Sequence, residues 1–242
     1  MVGRPLQSKL NLSAIKEAPS LAIVIPVYNE AKILAKTLKM LDKLTVEEII
    51  FVDGGSTDSS KTLISKAGHT CLQSGLGRGQ QMNFGTKSSQ SDIILYLHVD
   101  TSISSSNISN IKKSYNHGFI SGRFDVTFTN KSLSYSIISF FINLRSRVSN
   151  ISTGDQAIFV RRDVMEQLGG YPEIALMEDV ALSKRLKRLG RMISLRDKII
   201  TSSRRWEENG PVKTVLLMWK IRFLYWAGVS PDKLAKLYRK PQ

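Results

Sequence analysis

Two unbroken apolar runs near the start of the chain, Leu21-Ala22-Ile23-Val24-Ile25 and Ile49-Ile50-Phe51-Val52, stop abruptly at polar residues. The first meets Pro26-Val27-Tyr28-Asn29-Glu30 and the second Asp53-Gly54-Gly55-Ser56-Thr57-Asp58. Apolar runs of this length without alternation read as strands buried on both faces, as in a parallel sheet. A helix-length stretch, Ala31 to Leu44, lies between them. Strand, helix and strand make a βαβ unit, which brings both polar ends to the carboxyl edge of the sheet, where open α/β sheets bind ligands. A third buried-strand pattern, Ser91 to Leu97, ends in His98-Val99-Asp100-Thr101. The expected class is therefore α/β, a mostly parallel central sheet flanked by helices.

The polar ends carry the candidate chemistry. Asp53 is placed to accept an N–H from a base edge, while Gly54 and Gly55 let backbone approach a ligand closely and Ser56 is placed to cap the next helix. A carboxylate at Asp100 suits a divalent cation bridging two phosphates, since hard Mg²⁺ or Mn²⁺ prefers oxygen ligands. His98 beside it is either a further ligand or a packing residue, and His69 and His117 have no matching partners. Gly75 to Asn83 reads as a glycine-rich loop carrying Arg78. It is not a dinucleotide fingerprint, because Gln80 stands where the third glycine belongs, and no Gly-Lys-Ser/Thr makes it a P-loop. Arg78 suits a phosphate contact there, and a plain surface loop explains it nearly as well.

Later, Thr153-Gly154-Asp155-Gln156 leads into the short apolar run Ala157 to Val160, and Met177-Glu178-Asp179 opens a helical stretch, Val180 to Leu189. Acidic residues at a helix start are common caps, so spacing alone leaves Glu178 and Asp179 with that reading. Ser203-Arg204-Arg205-Trp206, read as a loop, sets two guanidiniums beside an aromatic ring, a clamp that suits a diphosphate.

With 242 residues, 42% hydrophobic and 23% charged, the chain has ordinary globular usage and enough length for one enzyme-sized domain. Cys71, the only cysteine, excludes disulfides within the chain and cysteine zinc sites, which fits a reducing compartment. No stretch reaches the ~18 apolar residues of a membrane span, and the start of the chain, with Lys9 and Lys16 among polar residues, lacks the apolar core of a signal peptide. A cytoplasmic protein, soluble or peripheral on the membrane's inner face, is the expectation. The net charge of +15 gathers at the carboxyl end, where residues 184–242 hold 16 Lys/Arg against 4 Asp/Glu. A basic face attracts nucleic acid, anionic headgroups or phosphorylated substrates. No nucleic-acid motif accompanies it, so none is expected as a partner. Val212 to Ala227 is apolar around nearly its whole circumference, and such a helix belongs in the core, in an oligomer contact or in a membrane interface.

Taken in order, IVIPVYNE, VDGGSTD, LHVDT, TGDQ, MEDV and SRRW resemble the family 2 inverting glycosyltransferases with the GT-A fold, from about Leu21 to Tyr238. The resemblance implies a Rossmann-like GT-A domain over 21–242 after an extension at 1–20. A nucleotide-binding half would span about 21–110, an acceptor and catalytic half 111–210, and a basic, apolar helical segment 211–242. It implies that Pro26, Tyr28, Glu30 and Asp53 line the base and ribose pocket, with Arg78 on the nucleotide. Asp100 would be the metal-binding residue of the Asp-x-Asp motif, Asp179 the catalytic base, and Gly154, Asp155 and Glu178 would lie on the acceptor side. Arg204, Arg205 and Trp206 look like a variant of the Gln-x-x-Arg-Trp motif, with Ser202 in place of Gln. His98 stands where the first Asp of Asp-x-Asp belongs, as in a compact, single-domain subgroup of the family that this chain also resembles in size. The implied function is transfer of a sugar from a UDP- or GDP-sugar to an acceptor hydroxyl, with a divalent cation and inversion. The acceptor is unassigned, a lipid-linked one among the options, and homo-oligomerisation stays open. A sugar nucleotidyltransferase and a basic membrane-surface or RNA-binding module without catalysis are the alternatives.

Overall fold

The computed structural model describes residues 18–239. Most of the extension expected at 1–20 therefore lies outside the described residues, as does the end of the basic segment. From the amino end come β1 (Leu21–Val27), α1 (Ala31–Leu41), β2 (Glu48–Asp53), α2 (Ser60–Lys66), β3 (Thr70–Gln73), α3 (Arg78–Ser88), β4 (Ile93–Tyr96) and α4 (Ser105–Asn116). Then follow β5 (Ser121–Phe128), α5 (Leu133–Ser149), β6 (Phe159–Arg161), α6 (Arg162–Leu168), α7 (Glu178–Leu189), β7 (Met192–Thr201), α8 (Arg204–Asn209), α9 (Pro211–Trp226) and α10 (Pro231–Arg239). The strands form one seven-stranded sheet in the order β3-β2-β1-β4-β6-β5-β7, so a single sheet runs through both halves of the chain. Its pairs are parallel except where β6 lies antiparallel to β4 and β5.

The two apolar runs form the strands their composition predicts, because both sheet faces are covered. Alternate residues of a strand point to opposite faces. In β1, Leu21, Ile23, Ile25 and Val27 enter a core shared with Leu34 and Leu38 of α1, Ile64 of α2 and Ile108 and Ile111 of α4. Ala22 and Val24 enter the opposite core, with Met82 of α3, Val164 and Met165 of α6, and Leu182 and Leu186 of α7. Val27 pairs with Asp53, so the polar ends of β1 and β2 emerge side by side.

Several elements depart from the sequence reading. The presumed glycine loop is helical from Arg78 onward, after Gly77 at a φ of 153° that side chains rarely adopt, and the two glycines inside the helix serve contact. A Cβ on Gly85 would lie 2.4 Å from a Val24 methyl, and one on Gly79 would lie 2.5 Å from the Pro172 carbonyl oxygen. Close approach of helix to sheet thus outweighs the weak helix propensity of glycine. Ser203-Arg204-Arg205-Trp206 is not a loop either, since it opens the short helix α8. Ser56 does not cap the following helix, which starts after Ser59; its hydroxyl accepts instead from the Asn29 amide at 2.9 Å. The core option for the apolar carboxyl-terminal helix is overturned as well: only Thr214 and Ile221 of α9 are buried.

Candidate active site

The loops after β1 and β2 are stitched to each other before anything else binds. Asn29, at φ 54°, accepts the Thr57 amide at 2.8 Å, and the Glu30 amide donates to the Ser60 hydroxyl at 2.9 Å. Beneath them Gln81 of α3 donates from one amide nitrogen to the carbonyls of Val27 (2.9 Å) and Val52 (2.7 Å), the last turns of both strands. Asp53 is fully buried, and one carboxylate oxygen accepts the amides of Gly55 and Ser56 at 3.0 Å. Its own turn thus fixes the carboxylate at the end of β2. Tyr28 is exposed beside half-buried Pro26 and Glu30, on the rim of this platform.

Five carboxylates and two guanidiniums converge beyond the strand ends. Arg204 of α8 sits 3.9 Å from Glu30. Burial raises the Glu30 carboxyl above its usual range; Arg204 and Arg78 oppose the shift and Asp100 adds to it. Burial also raises Asp100, with Arg78 and Arg204 opposing and Asp155 adding. For Arg78 desolvation opposes the charge, yet Glu178, Tyr238, Asp179 and Asp100 together hold its pKa above the ordinary value. The Arg78 charge is therefore felt both at Asp100 and at the two carboxylates that start α7.

Asp179 is the most perturbed carboxylate of the group. It lies in the first turn of α7, behind Met177, whose φ of 70° is a left-handed conformation that costs about 1–3 kcal/mol outside glycine. It makes no cap hydrogen bond to its own helix. One oxygen accepts the Gly154 amide at 2.8 Å, and the other lies 3.4 Å from the Tyr171 hydroxyl. Burial, then the neighbouring Glu178, raises it to about 8, against Arg78 and the Gly154 amide. A buried carboxyl poised near neutrality, with charge partners around it, has the properties of a proton acceptor.

Gly154 is where the pieces touch. A Cβ there would lie 2.5 Å from His98 Nε2 and 2.9 Å from an Asp179 oxygen, so only glycine leaves room for both. Burial, then Arg78, lowers the His98 imidazole to about 3, which keeps the ring neutral, and its buried Nε2 has no hydrogen-bond partner. Among the described residues no three His, Cys, Asp or Glu side chains gather to hold a metal. The Asp100 carboxylate is the oxygen donor that suits a hard cation such as Mg²⁺ or Mn²⁺ taking its other ligands from phosphate and water, and the unpaired Nε2 of His98, two residues earlier, is a second candidate donor.

The structure divides the arginine-tryptophan segment. Arg204 faces the site, whereas Arg205 stacks 3.6 Å over the Tyr238 ring of α10 and donates to the Tyr238 carbonyl. Trp206 packs edge-on to Phe128. Four site residues escaped the sequence reading: Asn29, Gln81, Asn83 and Tyr171. Asn83 fixes Tyr171 by accepting its amide at 2.6 Å and donating to its carbonyl at 3.0 Å. A polar residue on the sheet-facing side of a helix, as Gln81 and Asn83 are, was the available mark.

Comparison with known proteins places this geometry. The model of the family described as Glycosyl transferase family 2 matches residues 22–169. Among curated proteins, the probable glycosyltransferase YdaM of Bacillus subtilis is 24% identical over 241 residues, covering 86% of this chain and 54% of that protein. Glycosyltransferase AglE of Haloferax volcanii is 27% identical over 173 residues, 64% of this chain and 56% of that protein. The chain thus spans about half the length of these two relatives. Among solved structures, S. aureus TarS in complex with UDP-GlcNAc aligns with TM-score 0.60 at 18% identity, over 76% of this chain and 58% of that one. The mannosyltransferase PcManGT from Pyrobaculum calidifontis, in complex with GDP-Man and Mn²⁺, aligns with TM-score 0.60 at 16% identity, over 81% and 60%. At such identities these two establish the GT-A fold alone.

Proposed function

The chain belongs to glycosyl transferase family 2, and on that premise we propose that it moves a sugar from a UDP- or GDP-sugar to an acceptor hydroxyl in one inverting displacement. The observation that carries this reading is that Arg78 interacts with both Asp179, a buried carboxyl raised towards neutrality and suited to accept a proton, and Asp100, a carboxylate suited to a divalent cation. The neighbours solved with UDP-GlcNAc and with GDP-Man support a nucleoside-diphosphate sugar as the donor class.

The acceptor oxygen attacks the anomeric carbon, its proton passes to Asp179, and the bond from that carbon to the diphosphate oxygen breaks with its electron pair on the diphosphate. One base suffices for inversion, and no enzyme nucleophile is required. The Gly154 amide and the Tyr171 hydroxyl orient the Asp179 carboxylate. Arg78 and Arg204 hold the anionic oxygens of the donor in the bidentate manner of guanidinium and phosphate. Asp100, with His98 as second donor, would hold the divalent cation, which supplies positive charge against the departing diphosphate. Asn29, Asp53 and Gln81 keep the platform under the nucleotide rigid.

The test is a panel of nucleotide sugars with Mn²⁺, read first by thermal shift, since a ligand that binds only the folded state raises its melting temperature. One UDP- or GDP-sugar should stabilise the protein, and divalent cation should then promote release of the corresponding nucleoside diphosphate. Asp100→Asn should remove the cation dependence of donor binding. Pyrophosphate release from a nucleoside triphosphate, with no response to any nucleotide sugar, would overturn the reading in favour of a nucleotidyltransferase.

A further inference from the structure

Helix α5 is built inside out. The side it turns to β5 is polar: Ser139 and Ser146 are buried, Asn143 accepts the Val126 amide at 2.8 Å and returns a bond to the Val126 carbonyl at 3.0 Å, and Arg147 pairs with Asp125. Its apolar residues, Leu133, Ile137, Phe140, Phe141, Leu144 and Val148, recur at helical spacing on the opposite side, each 44–78% exposed. Helix α9 repeats the arrangement with Val212, Leu216, Trp219, Phe223 and Trp226, each 59–78% exposed. Two outward apolar stripes are far more than the scattered surface hydrophobes of a soluble chain and mark a docking surface.

The helices belong to one region. Trp206, just before α9, packs on Phe128, which packs on Tyr135 of α5. Arg145 of α5 and Arg222 of α9 are coupled to each other and both to Asp155, on the acceptor side of the site. Charge selects the occupant. Neither helix carries an Asp or Glu, and their exposed cations are Lys213 and Lys220, which flank the apolar stripe of α9, while Arg147 is turned inward to Asp125. A second copy docking through this face would oppose cation to cation, whereas an anionic bilayer complements them at about 1 kcal/mol for each Lys or Arg near its surface. Tryptophans such as Trp219 and Trp226 favour the water–hydrocarbon boundary. No helix among the described residues is long and apolar enough to cross a membrane, so contact would be along the surface.

We propose that α5 and α9 form one face that seats the protein on a bilayer containing anionic phospholipid, apolar stripes inserted and Lys213 and Lys220 at the headgroups, with the Asp155 side of the site beside the membrane. Sedimentation with phosphatidylcholine vesicles, with and without phosphatidylglycerol, tests it without turnover, so its failure leaves the transfer reading standing and the reverse. The protein should pellet with anionic vesicles at low salt, more weakly as salt rises, and its tryptophan emission should shift to the blue. Phe140→Ser/Phe141→Ser and Trp219→Ser/Trp226→Ser alter exposed side chains, so melting temperature should hold while vesicle affinity falls by about tenfold or more in each. Protein left in the supernatant with anionic vesicles at low salt overturns the proposal. So does vesicle binding unchanged in both double variants, or a dimer in sedimentation velocity that the same variants convert to monomer.

Discussion

Asp179 and Gly154 are the residues on which the chemistry turns. Asp179→Asn keeps shape and hydrogen-bonding oxygen but removes basicity. Transfer should therefore fall by roughly 10²–10⁴-fold, while affinity for the nucleotide sugar changes little, because only the acceptor side is damaged. Steady-state turnover with the true donor and acceptor, beside calorimetry of donor binding, separates the two. Near-normal transfer would return Asp179 to the helix-start role that spacing alone suggests. Asp100→Asn should do the opposite, weakening cation-dependent donor binding first. Gly154→Ala should harm both ends, since the added methyl would meet the His98 ring at 2.5 Å and an Asp179 oxygen at 2.9 Å. Asp100 is marked in the sequence by its place after a buried-strand run, whereas spacing alone reads Asp179 as a helix cap and only the family resemblance proposes it as the base. Tyr171 is not marked: it is brought to Asp179 by Asn83, 88 residues away, and no local pattern encodes that contact.

Among the elements, those defined by continuous burial were readable and those defined by close packing were not. β1, β2 and β4 appear as apolar runs because both faces of the sheet are covered. Helix α3 was hidden, since Arg78-Gly79-Gln80-Gln81-Met82-Asn83 has no apolar stripe; its glycines and amides make contacts with backbone that hydrophobic periodicity does not record. Gln81 shows what those contacts contribute. Gln81→Leu removes a donor shared by two strand-end carbonyls, of which that of Val27 keeps the Gly54 amide at 2.9 Å. A loss of about 1–3 kcal/mol in chemical denaturation is expected, with weakened nucleotide binding, because the β1 and β2 ends lose their tie. A midpoint within error of the wild type would mean that water replaces the amide there. The same blindness left α9 open: its composition allows core, oligomer contact or membrane interface, and only the fold shows that Trp219 and Trp226 face outward.

The whole molecule concentrates its electrostatic strain in the site, and global stability should register it. A carboxyl whose folded pKa is raised favours the folded state while protonated, and that advantage is lost as pH climbs to the folded value. For Asp179 the loss extends from about 4 to about 8. His98, lowered to about 3 from 6.5, works the other way and finishes near 6.5. The carboxyls of Glu47, Asp58 and Glu207, lowered mainly by hydrogen bonds that outweigh any desolvation, act at the acid end. Between about 6.5 and 8 Asp179 therefore sets the slope, with the raised carboxyls of Asp100 and Glu30 acting in the same direction. The free protein should lose roughly 1–2 kcal/mol across that window, seen as a melting temperature that falls by a few degrees. Asp179→Asn should flatten the fall and melt above the wild type at pH 8, so the substitution that abolishes transfer should stabilise the fold. Parallel melting curves for the two proteins would leave Asp179 ionised throughout, and a carboxylate already charged at pH 6.5 would have too little proton affinity to be tuned for the base step near neutral pH.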